Sequence, residues 1–124
     1  MTPRKRILIV DDEEDFLRIL RDSMELRGIE VVLATSAVEA GLELATKLPD
    51  LILMDVKMPG INGLQACEAI KRNPATKDLP IIIVSALSDE SDIKRAYAVG
   101  VVDYFIKPID IEKLVKRVRE ILGL

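Results

Sequence analysis

"LILMDVKMPGING", residues 51 to 63, runs four aliphatic side chains into an aspartate, a lysine and a turn rich in proline and glycine. An apolar run without alternation reads as a strand covered on both faces, as central strands of parallel sheets are. Working outward, comparable runs occupy Arg6 to Val10, Glu30 to Ala34, Pro80 to Ala86 and Val101 to Ile106, each followed by a segment with helical spacing. Phe16, Leu17, Leu20 and Met24 share one side of a helix predicted to stop at Gly28 with a left-handed cap. Ala37, Ala40, Gly41, Leu44 and Leu48 mark a second helix, closed before Pro49. Leu64, Cys67 and Ile70 mark a third that frays before Pro74, and Ser91 to Val99 a fourth ended by Gly100. In the last helix Ile111, Leu114, Val115, Val118, Ile121 and Leu122 form an apolar stripe, with Lys113, Lys116, Arg117 and Arg119 on the wet side. Strand and helix alternate throughout, which predicts an α/β fold with a parallel sheet between two helical layers.

Composition orders the sheet. "ILIV", "LILM" and "IIIV" are apolar throughout and suit the centre, whereas "EVVLA" and "VVDYFI" carry polar residues and suit the edges. The expected fold is a flavodoxin-like doubly wound sandwich, a five-stranded parallel sheet in the order 2-1-3-4-5 with five helices. Such sheets bind ligands beyond the carboxyl ends of the strands, where the order reverses between the first and third. Asp11 and Asp12 end the first strand and Asp55 the third. Glu13, Glu14 and Asp15 are explained by the helix that follows, whose dipole favours acids in its first turn. That does not explain Asp11 and Asp12, which would repel Asp55 at the rim of a low-dielectric sheet. A divalent cation does: carboxylates, carbonyls and waters are ligands of Mg²⁺, with Mn²⁺ as an alternative. Lys107, in "FIKP", leaves the fifth strand on the same rim, so three carboxylates against Mg²⁺ and one lysine balance to zero.

The chain's bulk properties exclude several classes. Its 124 residues make one ordinary domain, read as a single unit over 1–124 with no effector domain. Two Phe, two Tyr and no Trp disfavour a stacking platform for nucleic acid, and a net charge of -3 gives no bulk attraction to nucleic acid or lipid. No apolar run approaches the roughly 20 residues of a membrane span. The basic start MTPRKR leads into a short apolar stretch ended by acids, unlike a signal peptide, and the single cysteine, Cys67, reads as a small core residue. A cytoplasmic location is expected. The absence of histidine removes the commonest general base and phosphoryl carrier, so such chemistry must use acids or a partner's histidine.

"VDD" at 10 to 12, "LMDVKMPGING" at 53 to 63, "VSA" at 84 to 86 and "DYFIKP" at 103 to 108, in that order at the ends of four strands, resemble the receiver domain of two-component response regulators over essentially the whole chain. The resemblance implies a signalling switch in which Asp55 accepts a phosphoryl group from a histidine kinase or a histidine phosphotransfer protein, with Mg²⁺. It implies Asp12 as a direct metal ligand, Asp11 as a ligand mainly through water, and the backbone carbonyl of Lys57 completing the protein's share. Ser85 and the backbone N–H of Ala86 would meet the phosphoryl oxygens, and Lys107 would pair with them. Ser85 and Tyr104 would be the switch pair, Tyr104 turning inward as Ser85 moves and remodelling the face of the fourth helix, fifth strand and last helix. The plain alternatives are a strand-end hydroxyl bonded to backbone for Ser85 and a half-buried edge aromatic for Tyr104. The family uses a cis bond before Pro108 to aim the lysine. Phe16, Ile19 and Pro108 are candidate kinase contacts, unless the first helix is rotated so that Phe16 and Ile19 are buried.

Physical chemistry supports the same roles. Phosphoryl transfer needs in-line positioning and compensation of charge on the equatorial oxygens, and an ionised carboxylate needs no general base. The chain is therefore read as a switch and not an enzyme, its catalysis limited to its own phosphorylation from small phosphodonors and its own dephosphorylation. Asn62 stands where many relatives have aspartate, with little change expected because both cap helices well. Lys57 could lean over the phosphoryl group and slow hydrolysis, or be a solvated lysine. Three rivals remain. A flavodoxin-like cofactor binder needs a phosphate-welcoming loop, which "DDEED" is not. A haloacid-dehalogenase-like phosphatase expects Asp-x-Asp, whereas Asp55 is followed by Val56 and Lys57. A degenerate receiver that only binds is disfavoured by the intact set of Asp11, Asp12, Asp55, Ser85 and Lys107. The chain is read as either a stand-alone receiver or a piece of a longer regulator; a stand-alone receiver would dock on an unknown downstream protein, as a motility output or as a phosphorelay intermediate, and the "DVKMPG" stretch with a lone domain favours the relay.

Overall fold

The computed structural model describes residues 3–124; the first two residues of the basic MTPRKR start lie outside it. Five strands, β1 (Arg6–Val10), β2 (Glu30–Ala34), β3 (Leu51–Met54), β4 (Ile81–Ser85) and β5 (Asp103–Ile106), alternate with five helices, α1 (Glu14–Glu25), α2 (Ala37–Thr46), α3 (Gly63–Arg72), α4 (Glu90–Val99) and α5 (Ile111–Leu122). All pairings are parallel and the order is β2-β1-β3-β4-β5, as the strand composition predicts. β3 and β4 are buried along their whole length, while β2 and β5 hold the half-exposed edges.

Strand periodicity sorts the core into two layers. Leu8, Val10, Ile52, Met54, Ile81 and Ile83 face Ala40 of α2, Leu64, Cys67 and Ile70 of α3, and Ala96 of α4. The alternate residues Ile7, Ile9, Leu51, Leu53, Ile82 and Val84 face Leu17, Leu20 and Met24 of α1 and Leu114, Val115, Val118 and Leu122 of α5. Right-handed crossovers between consecutive parallel strands, reversing direction after β2, put α1 on one side and α2, α3 and α4 on the other, and α5 packs beside α1.

Several boundaries differ from the sequence reading. α1 closes at Glu25, before Gly28, because its last turn tightens: the N–H of Arg27 and of Gly28 donate to Met24 and Glu25, and Gly28 then takes the left-handed φ of 78°. α2 closes at Thr46, and Leu48 stands 46% exposed outside it. Lys47 is already extended, with its carbonyl accepting from Arg6 Nη1 at 2.8 Å. β5 is shorter than its apolar run because Val101 N and Val102 N donate to Ala96 O and Ile81 O in the turn that precedes it, and β4 leaves out the flanking Pro80 and Ala86. Asn62 caps α3 with a reciprocal box, accepting from Gln65 N while Gln65 Oε1 accepts from Asn62 N.

Candidate functional site

The register of the sheet assembles the site. Val10 pairs with Met54, so the next residues, Asp11 and Asp55, leave neighbouring strands side by side. Their backbones stay in the ladder: Asp11 N donates to Ala34 O at 3.1 Å and Asp55 N to Val10 O at 2.9 Å. Ser85 closes β4 opposite Ile106, and Lys107, whose N–H donates to Ser85 O, follows at the same edge. Regular elements hold side chains more precisely than loops do, and four strand ends bring chemistry-bearing side chains to one rim.

Asp11 and Asp55 are buried and Asp12 is exposed, yet one carboxylate oxygen from each lies within 4.8 Å of the others. Lys107 Nζ reaches into the group, 2.7 Å from Asp11 Oδ2 and 3.6 Å from Asp55 Oδ2. Burial pushes the Asp55 carboxyl above its usual range and the Asp11 charge adds to that, while Lys107 and the backbone N–H groups of Lys57 and Val56 pull back without prevailing. Burial likewise raises Asp11, against its hydrogen bonds from Lys107 and the Glu13 N–H. Burial alone would lower Lys107, but the bonded Asp11 and the charges around it hold the ammonium above its ordinary value. The protein alone leaves this rim short of positive charge. Three hard oxygen donors converging there fit a divalent cation that favours oxygen ligands, so Asp11, Asp12 and Asp55 could hold a metal.

The remaining expected residues fall around this group. Ser85 is fully buried, and its hydroxyl accepts from Leu87 N at 3.2 Å, the backbone bond of the plain alternative. A hydroxyl that accepts still has its proton to give. Tyr104 is half-buried, and its hydroxyl donates to Leu87 O at 2.7 Å. Ala86, Lys57 and Pro108 are exposed, and the Lys107–Pro108 bond is cis. Ile19 is 51% exposed, whereas Phe16 is half-buried against the α1–α5 layer.

Three contributors escaped the sequence reading. Glu13 is not in the first turn of α1 but at its N-cap, where it caps nothing; its carboxylate instead lies 3.2 Å from Lys107 Nζ. Three acids, Asp11, Glu13 and Asp55, therefore share that lysine. Phe16 places its ring 4.5 Å from the same ammonium. Gly63 is packed so closely that a Cβ there would stand 1.9 Å from the Asp55 carbonyl oxygen, and its N–H donates to Val56 O at 2.8 Å. The start of α3 is thereby clamped onto the backbone that carries Asp55. The "Asp55…Gly63" spacing contains the signal, but only the fold shows the approach.

A model of the response regulator receiver domain matches residues 7–119. The chain is 37% identical over 117 residues to the phosphate regulon transcriptional regulatory protein PhoB of Rhizobium meliloti, covering 94% of this chain and 52% of that one. It is 37% identical over 116 residues to the response regulator PleD of Caulobacter vibrioides, covering 94% of this chain and 26% of that one. The chain thus spans about half the length, or less, of these curated relatives. Among solved structures it is similar to a two-component response regulator from Clostridium difficile, with a TM-score of 0.91 and 29% identity over 97% of each chain. It is also similar to a CheY-like response regulator receiver domain protein from Methanospirillum hungatei, with a TM-score of 0.91 and 26% identity over 98% of this chain and 95% of that one.

Proposed function

Because this chain belongs to the response regulator receiver domain family, we propose that it is a phosphoacceptor switch in which Asp55 takes a phosphoryl group from the phosphohistidine of a partner protein. The observation that carries this reading is the buried Asp55 carboxylate at the end of β3, with Asp11, Asp12 and the Lys107 ammonium converging on it. An Asp55 oxygen attacks phosphorus in line; the new O–P bond forms as the P–N bond breaks, and the departing imidazole keeps the electron pair and takes a proton from water. Lys107 shifts from Asp11 toward the phosphoryl oxygens, and Ser85 donates its hydroxyl proton to another. Bound Mg²⁺ would supply the remaining positive charge, held by Asp11, Asp12, Asp55 and the Lys57 backbone carbonyl. The partner is a histidine kinase or a histidine phosphotransfer protein, met in the cytoplasm, with Ile19 and Pro108 on the accessible rim.

The output we propose runs through α4, β5 and α5. Asp103 joins them, accepting from Tyr97 Oη at 3.2 Å and Arg117 Nε at 2.8 Å, next to the switch residue Tyr104. Small phosphodonors replacing the histidine partner give a direct test. After incubation with acetyl phosphate and Mg²⁺, intact mass is expected to rise by one phosphoryl group, and not to rise with EDTA or in Asp55→Asn. No gain in wild type under any condition refutes the switch and leaves a receiver that acts by binding alone.

A further inference from the structure

Lys107 stands among acids that pull it in different directions. Its Nζ lies 2.7 Å from Asp11, 3.2 Å from Glu13 and 3.6 Å from Asp55. Glu13 is exposed, so its pull leads toward solvent, while Asp55, where the proposed chemistry needs the charge, is the most distant of the three. A compact ammonium on a flexible four-carbon stem trades such partners readily. The remaining contact differs in kind. The Phe16 ring has its centroid 4.5 Å from Nζ, inside the ~6 Å over which an aromatic face attracts a cation. The ring is itself braced, half-buried against the layer between α1 and α5.

We propose that Phe16 is a positioning residue for Lys107, its ring holding the ammonium at the Asp11–Asp55 rim and so setting the rate at which Asp55 is phosphorylated. The proposal rests on the phosphoacceptor reading given above. The chemistry favours a ring over the alternatives. Another carboxylate would hold the lysine more strongly but would repel the anionic phosphodonor, at a rim that already carries Asp11, Asp12, Glu13 and Asp55. An aliphatic side chain would fill the space and offer the cation nothing. A ring attracts the cation through its quadrupole without adding net charge. It does so beside a side chain only 14% exposed, where water screens the attraction little.

Phenylalanine analogues carrying one, two and three ring fluorines, incorporated at position 16, withdraw electron density stepwise while keeping the shape of the ring. Phosphorylation by acetyl phosphate with Mg²⁺ is expected to slow in step with fluorination, reaching about five-fold for the trifluoro ring and for Phe16→Leu. Phe16→Tyr, which keeps an electron-rich ring, is expected to restore the wild-type rate. NMR gives an independent readout: the Lys107 Hε resonances are expected upfield of ordinary lysines through the ring current, and to return in Phe16→Leu. Equal rates across the series in a protein whose wild type is phosphorylated, or Lys107 Hε resonances at ordinary positions, overturn the proposal. A wild type that takes up no phosphoryl group overturns the phosphoacceptor reading and the rate role with it. The ring-current shift then distinguishes that failure from failure of the contact.

Discussion

Gly63→Ala and Gly41→Ala make the same chemical change in two helices and are expected to move stability in opposite directions. Propensity alone favours both, because alanine in a helix is better than glycine by about 0.5–1 kcal/mol. At Gly41, in the middle of α2, nothing lies within 4 Å of the new Cβ, so the gain is expected in full. At Gly63 the new Cβ would stand 1.9 Å from Asp55 O and 2.8 Å from both Asp55 C and Val56 Cα, where real contacts stay beyond 3.0 Å. All three are backbone atoms, so no side chain can turn aside; α3 or the β3 end must move by roughly 1 Å. Overpacking against a braced site costs about 1–3 kcal/mol, occasionally more. The clash outweighs propensity, leaving Gly63→Ala destabilised by about 2 kcal/mol and its Tm lower by roughly 6–10 °C. The moved backbone carries Asp55, and a misplacement of about 1 Å can slow chemistry by about 10²-fold. Urea unfolding gives the first quantity and intact-mass time courses with acetyl phosphate the second. A Gly63→Ala protein as stable as Gly41→Ala, phosphorylated at the wild-type rate, would refute the clamp between α3 and Asp55.

Mg²⁺ at 100 times its Kd is expected to stabilise the protein by about 2.7 kcal/mol; Asp12→Ala, which removes an exposed side chain, should leave metal-free stability unchanged and abolish most of that gain in a melting titration. Because burial and Asp11 raise the Asp55 carboxyl in the folded protein, folding favours its protonated form; metal-free stability relative to Asp55→Asn should therefore rise as pH falls from neutral toward the ordinary carboxylate range, and a flat difference in urea midpoints contradicts it. The Cys67 thiol, buried and pushed up to about 12, should resist Ellman's reagent at about pH 8 until the protein unfolds. Lys57, exposed two residues after Asp55, is expected to shield the phosphoryl group, so Lys57→Ala should lose it faster; an unchanged half-life rules that out.

The apolar runs announced the sheet because three strands are buried on both faces, and burial on both faces erases the polar alternation that other strands show. Asp11, Asp55 and Ser85 were legible for a related reason: a polar residue ending such a run stands at the carboxyl edge of the sheet, and Lys107 follows the edge strand β5 at the same rim. Residues whose role depends on a third dimension were not legible. Glu13 lies in a run of five acids, and nothing in the run distinguishes an N-cap position aimed at Lys107 from a first-turn residue aimed at solvent. Phe16 fits the apolar spacing of α1, so its second use, facing an ammonium from the far end of the chain, has no signature in spacing. Leu48 erred in the opposite sense: it matched the helical period, but Lys47 had already become extended.

Under the proposed reading, both side chains that the phosphoryl oxygens recruit, Lys107 and Ser85, already have partners in the unmodified protein, and the arrangement of those partners sets where the change travels. Lys107 is held by Asp11 and Glu13. Ser85 accepts from Leu87 N, and Tyr104 donates to Leu87 O, so both switch residues hold the same backbone unit between β4 and α4. Each bond is worth about 0.5–1.5 kcal/mol net, so exchanging one set for another leaves two states separated by little. The new charge on Asp55, about -1.5 to -2 if it behaves like other phosphoryl groups, is enough to bias such a balance. The strain cannot be relieved through β4, which is buried along its length and paired on both sides. It can be relieved through α4, whose only fully buried side chain is Ala96, whereas α5 buries four. Releasing Leu87 therefore moves the lightly anchored helix first, and the Tyr97–Asp103–Arg117 contacts carry that movement to the face shared with β5 and α5.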